Sequence, residues 1–322
     1  MSVTITTGGV TMTGGGVTFV APPPGGPTAG WFGGGYFATP GASTMIARIT
    51  YATDTATASV RGPFSAGIAS GAATGNNTYG WYGGGFNDTV PFLSTVQRIT
   101  YTTDTATASV RGTLNTAVNA TSATGTTTDG WFVGGTNPTN NSTVQRITYA
   151  SDTATASLRG SLSSPVSWSV ATTDTTTYGW FGGGYNSGRS STVQRITYAT
   201  DTDSSSIRGP LSMARDRLSA TGNTTAGWFA GGFQYPPGNP VSTIDRITYA
   251  TDTATASVRG PLSSARQFLS ASTDYSTYGW FAAGTGFSTI DRVTYATDTA
   301  TATARGPLNA TQYRGMASSG QQ

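Results

Sequence analysis

The chain has 322 residues, 10% of them charged, with a formal net charge of +3. All 17 basic residues are arginine and all 14 acidic residues are aspartate, with no Lys, Glu, His or Cys. This inventory excludes disulfides, imidazole bases, thiolate nucleophiles, Schiff-base lysines and Glu–Glu pairs. Scarce helix formers beside abundant Thr, Ser, Gly and Val favour strands and turns.

Residues 1–27 read as an N-terminal extension. VTITTGGVTMTGGGVTFV alternates apolar and polar residues in short pieces broken by glycine, and APPPGGP follows as a stiff linker. Pro22, Pro23 and Pro24 cannot sit in a central strand, because they have no N–H for the ladder. Two readings stay open for the extension: a strand that pairs with a partner, or a flexible tail. Its opening has neither a basic region nor a continuous apolar core, so a signal peptide is not expected. No run of about 18 apolar residues occurs, so no membrane insertion is expected.

From residue 28 to 322 the same wording recurs six times, with units starting near Gly30, Gly80, Gly130, Gly179, Gly227 and Gly279. Each opens on a Gly-Trp step, at Trp31, Trp81, Trp131, Trp180, Trp228 and Trp280. An R-[IV]-T-Y phrase follows, with arginines at Arg48, Arg98, Arg146, Arg195, Arg246 and Arg292. A T-D-T or S-D-T turn comes next, at Asp54, Asp104, Asp152, Asp201, Asp252 and Asp298. The unit closes on Arg-Gly, at Arg61, Arg111, Arg159, Arg208, Arg259 and Arg305. Within the fifth unit the pattern predicts strands over 217–221, 226–233, 242–249 and 254–259. T-D-T is read as a tight hairpin, with Ile247, Tyr249, Ala256 and Val258 on one apolar face. Four short strands at a period of about 40–50 residues indicate propeller blades.

The fold expected is therefore all-β, a six-bladed β-propeller with a short Gly-rich N-terminal extension. The first unit begins at its second strand, whereas GPLNATQYRGMASSG at the C-terminal end matches the lead-in to a first strand. Residues 313–319 are thus expected to become the innermost strand of blade 1 and to close the ring.

The glycine pair after an aromatic strand, the tyrosine ending the third strand and the S-x-A-R at Ser212–Arg215 and Ser263–Arg266 resemble kelch repeats. YGWFGGGY with STVQRITYATDTATAS more closely resembles the kelch-like repeat proteins of marine tailed bacteriophages, over about residues 28–320. That resemblance implies a virion protein, assembled in the host cytoplasm and exposed on the particle in a capsid, tail or fibre position. It would be joined to other virion proteins through its N-terminal segment. The chain departs from the kelch pattern where Gly67, Val118 and Val166 are read in place of the arginine before the first strand, and in lacking a late tryptophan.

No catalytic residue, cofactor site or metal site is expected. The turn aspartates, the nearest thing to ligands for a hard cation, are read as bonding their own turns. Gly33–Gly35, Gly83–Gly85 and Gly182–Gly184 lack the Lys-Ser/Thr of a phosphate loop. The tryptophans are read as packing, and the twelve repeated arginines as structural, spread around the assembly rather than gathered for nucleic acid. Arg48 and Arg61 flank the turn symmetrically, and like charges placed directly opposite would repel. Carbonyl and aspartate partners in the next blade are favoured over a shifted register or a bound anion.

The connection from second to third strand differs in every unit: 37–43, 87–93, 136–141, 186–190, 234–241 and 285–287. Loops on a rigid scaffold carry recognition, so this face is expected to meet a host-surface protein or glycan, with Phe92, Arg189 and Tyr235 as candidate contacts. An intracellular kelch-type interaction scaffold is the alternative function, and a glycan-processing propeller enzyme a third. Neutral drift in solvent loops would also produce such variation.

Overall fold

The computed structural model describes residues 2–6, 9–13, 27–37 and 41–319. The Pro/Gly linker up to residue 26 lies outside the described residues, as does the middle of the first variable connection, 38–40. Within the N-terminal extension, Ser2–Thr6 and Gly9–Thr13 pair antiparallel with each other.

Six antiparallel sheets follow, forming a six-bladed β-propeller. Blade 2 runs from Ala72–Gly75 through Tyr79–Gly83 and Leu93–Thr100 to Ser109–Val118. Blade 5 runs through Ser219–Gly222, Ala226–Ala230, Ile244–Thr248 and Ser257–Arg259. Blades 3, 4 and 6 start at Ser122–Gly125, Val170–Thr173 and Ser270–Thr273 and repeat the same order. Blade 1 is split between the two ends of the chain. Its inner strand is Tyr313–Ser319, paired antiparallel with Ala29–Phe37, followed outward by Ile46–Thr50 and Ser59–Val60. The C-terminal strand therefore closes the ring over the residues expected, and the edge that a linear stack would expose is paired.

The Trp-aromatic step builds the core by alternation. Successive side chains of a strand face opposite ways, so Trp31 packs against Tyr82, Ile99 and Tyr101 of blade 2. Its neighbour Phe32 packs against Trp280, Ala282 and Ile290 of blade 6. Six such clusters fill the six gaps between blades. Full burial of each large side chain is worth about 1.5–3 kcal/mol.

Two local expectations are corrected. The turn between third and outer strands is a 3-10 turn, Tyr249–Thr251 in blade 5, and the outer strand begins only at Ser257, so the connection is longer than a tight hairpin. Val258 is 58% exposed, not part of an apolar face. It sits on the outermost strand, and no strand packs beyond it. Val60, Val110, Leu158 and Ile207 hold the same place in their blades and are likewise exposed.

Candidate functional site

The propeller has two faces, and the repeat treats them differently. On the face of the third-to-outer turns, each blade grips the turn of the next. Trp31 Nε1 donates to Asp104 Oδ2 at 2.7 Å, while Arg48 and Arg61 approach the same oxygen at 3.0 and 3.4 Å. Trp81, Arg98 and Arg111 hold Asp152; Trp131, Arg146 and Arg159 hold Asp201. Trp180, Arg195 and Arg208 hold Asp252; Trp228, Arg246 and Arg259 hold Asp298. Trp280, Arg292 and Arg305 of blade 6 return to Asp54 of blade 1.

Each tryptophan also stacks on the tyrosine that opens the 3-10 turn after the next blade's third strand, as Trp81 does on Tyr149 with ring centroids 3.8 Å apart. Burial pushes the Asp152 carboxyl up, but Arg111, Trp81 and Arg98 outweigh it and hold the group below its ordinary value. The expectation that these aspartates bond their own turns is corrected: their carboxylates face the preceding blade, where three donors wait. Register explains how two arginines share one acceptor. Arg48 lies opposite Ser59, so Arg61 falls beyond it along the sheet rather than facing it. An anion between the two arginines is unnecessary, because the neighbouring carboxylate fills that role.

On the opposite face the connections into the innermost strands meet around the axis. Ser70, Ala120, Trp168, Arg217, Phe268 and Arg314 occupy equivalent places there, each with left-handed backbone, φ between 56° and 60°. Their peptide groups form a closed ring of hydrogen bonds. The N–H of Ser70 donates to the carbonyl of Arg314 (2.9 Å), Ala120 to Ser70 (2.9 Å) and Trp168 to Ala120 (3.0 Å). Arg217 donates to Trp168 (3.2 Å), Phe268 to Arg217 (2.8 Å) and Arg314 to Phe268 (3.3 Å). Such backbone costs on the order of 1 kcal/mol per non-glycine residue. Six inter-blade bonds offset it.

The side chains on this ring converge over the axis. Trp168 and Phe268 meet edge to face at 5.1 Å. The Arg314 guanidinium lies 4.8 Å from the Phe268 ring centre and 5.2 Å from that of Trp168, with Tyr313 and Phe86 beyond. Arg217 stands over Phe268 and Phe233, at 5.0 and 5.3 Å. Burial draws Arg314 below its ordinary range; Tyr313 opposes this, and the like charge of Arg217 adds to it. Beneath the ring runs an axial channel of ≈ 180 Å³, lined by Ala73, Ala123, Ala171, Ala220, Ala271 and Ala317, with Tyr275 among its lining residues.

Of the three candidate contacts named from sequence, two come together. Arg189 pairs with Asp216 at 3.2 Å and stands over Phe233 and Tyr235, the latter 67% exposed. Phe92 lies apart on blade 2, half-buried just ahead of the third strand. The residues that sequence reasoning missed are Trp168, Arg217, Phe268 and Arg314. One signal pointed to them: Trp168 is the single tryptophan of seven that falls off the repeat.

Between the two faces, Arg215 and Asp245 form a buried pair at 3.0 Å, and Arg266 with Asp291 another at 2.6 Å. The arginine's place in blade 2 is taken by Ile68, not Gly67: the carbonyls of Ile68, Val118, Val166, Arg215 and Arg266 each accept the N–H of the glycine four residues after a repeat tryptophan. Where the arginine is lost in blades 2, 3 and 4, the aspartate is replaced by Gln97, Gln145 and Gln194, which bond the connection's backbone instead. The two positions change together, since a lone buried carboxylate would be costly. Among the described residues, no three His, Cys, Asp or Glu side chains cluster closely enough to hold a metal ion.

Fold and site together define a six-bladed β-propeller with a uniform turn face and a varied loop face. No family model and no curated protein matches the sequence. Among solved structures, that of YjhT aligns with a TM-score of 0.64 at 11% identity, covering 79% of this chain and 88% of that one. A likeness at this identity concerns the fold alone.

Proposed function

We propose that the chain is a non-catalytic recognition module that contacts its partner through the loop face. The observation that carries this reading is the contrast between faces: one sixfold scaffold presents six different connections, with arginines and aromatic rings gathered at the centre. Catalysis by the common routes is disfavoured by composition, since His, Cys, Lys and Glu are all absent. The resemblance of the repeats to kelch-like phage proteins supports a finer reading, a propeller displayed on a tailed-phage particle and attached through residues 1–27.

Two measurements test this. Mass spectrometry of purified particles should detect the protein, and deletion of residues 1–27 should remove it from them. Replacing Tyr235, Arg189 and Phe92 together by alanine should reduce host attachment by about tenfold without changing particle content. A protein absent from particles ends the virion reading; unchanged attachment ends the loop-face assignment.

A further inference from the structure

Arg314 stands apart from every other cation in the chain. Sixteen of the 17 arginines have a carboxylate within ion-pairing distance; among the described residues Arg314 alone has none. Its Nε is buried without a hydrogen-bond partner, as in most of the arginines, but unlike theirs its guanidinium has, among the described residues, only aromatic rings to face, Phe268 and Trp168 nearest. Nearby, Arg217 and Arg189 share one carboxylate, Asp216, so the mouth holds three cations against one anion. Partly burying a cation without an anion is unfavourable, and nothing in the blade architecture requires one here. Ser70 and Ala120 fill the equivalent places with no charge at all.

We propose that this mouth binds the carboxylate of an acidic saccharide, with Arg314 as the ligand-facing cation and Trp168 and Phe268 as flat walls. The proposal rests on the recognition reading above and names its ligand class. A guanidinium offers a planar fork that matches a carboxylate. Aromatic faces supply apolar area against which a ring can lie, and their edges limit its thickness. A single cation without an ion pair suits a ligand with one anionic group per ring; a polyanion such as nucleic acid is bound by many free cations, and here the other arginines are each within reach of a carboxylate. Hydroxyl and amide groups of the neighbouring connections, TNPTNN and NSGRS, can meet sugar hydroxyls. The ring of peptide hydrogen bonds fixes the Cα positions of Trp168, Phe268 and Arg314 before any ligand arrives, which lowers the ordering cost of binding.

Calorimetric titration of the full chain with a trimer of galacturonic acid, against neutral galactotriose, inorganic phosphate and an Asp-rich tripeptide, provides the test. The acidic trimer should bind and the other three should not. Arg314→Gln should weaken binding by about tenfold or more, and Arg314→Lys by less, since it keeps the charge and loses the fork. Thermal melts of both variants should match the parent, because the side chain makes no inter-blade ion pair; should the glutamine variant melt early, the lysine variant and Trp168→Ala carry the comparison. Equal binding of galactotriose, of phosphate or of the tripeptide would overturn the proposal, as would undiminished affinity after loss of the Arg314 guanidinium. If no acidic sugar binds while the loop variant still reduces attachment, the ligand class falls and the recognition reading stands.

Discussion

The turn face and the axial mouth sit on one sixfold scaffold and differ in how they join blade to blade. At the turn face the joint is made by side chains: one tryptophan and two arginines on one aspartate, and all six joints are the same. At the mouth the joint is made by peptide groups, and the six side chains are Ser, Ala, Trp, Arg, Phe and Arg. Where a side chain makes the bond, its chemistry cannot change without losing the joint. Where the backbone makes it, the side chain is free to serve something else. The buried Arg–Asp pairs of blades 5 and 6 are intermediate, exchanged in blades 2 to 4 for an aliphatic and a glutamine with both members changing together.

Removing a whole joint is the strongest way to probe this contrast. Truncation after Gln312 deletes the inner strand of blade 1 and opens both an edge and the mouth ring. Denaturation followed by circular dichroism should show loss of a single cooperative transition, and sedimentation should show association through the exposed edge.

Asp152→Ala leaves Trp81, Arg98 and Arg111 without their acceptor and should cost about 3 kcal/mol in denaturant unfolding. An effect below about 1 kcal/mol would mean that stacking on Tyr149, not the carboxylate, holds the joint.

Gly209→Ala probes the equivalent joint between blades 4 and 5 through the backbone. The added Cβ would meet the Ala254 carbonyl, where the Gly209 N–H donates to the backbone carbonyl of Asp252 at 2.8 Å. About 2 kcal/mol of destabilisation is expected. The same substitution at Gly188, whose added Cβ would meet nothing within 4 Å, should have far less effect.

Acid should loosen the turn face next. Asp152 is held below the value it has in an unfolded chain, so its contribution is whole above about pH 4 and is lost as the pH falls through the folded value. Between pH 7 and pH 3 the parent should lose more stability than Asp152→Asn, which has no carboxylate to titrate there; equal losses would remove Asp152 from the account.

The smallest effect belongs to the mouth. Ser70→Ala should change stability by less than about 0.5 kcal/mol, or raise it slightly, because the Ser70 hydroxyl is buried without a partner and Ala120 already fills the equivalent place.

Much of this architecture was legible because it is periodic. Tryptophan, arginine and aspartate recur in step, and a residue type demanded in six places leaves a signal that one sequence can carry. The closing strand was legible for the same reason, as a first strand without its blade at one end and a blade without its first strand at the other. Ring position 70, 120, 168, 217, 268 and 314 carried no such signal, since its defining property is a left-handed φ that side chains of five different types conceal. Placing the missing arginine at Gly67 instead of Ile68 was an error of one residue in a stretch with no side-chain landmark.

The amino-acid sequence alone thus determined blade number, strand order and closure, because each depends on a pattern of burial that repeats at fixed spacing. Tertiary structure alone decided that each turn aspartate gives its carboxylate to a tryptophan and two arginines rather than to its own turn, and that Arg314 has no anion. Those facts depend on distances between residues far apart in the chain, which the folded ring creates and local sequence does not encode.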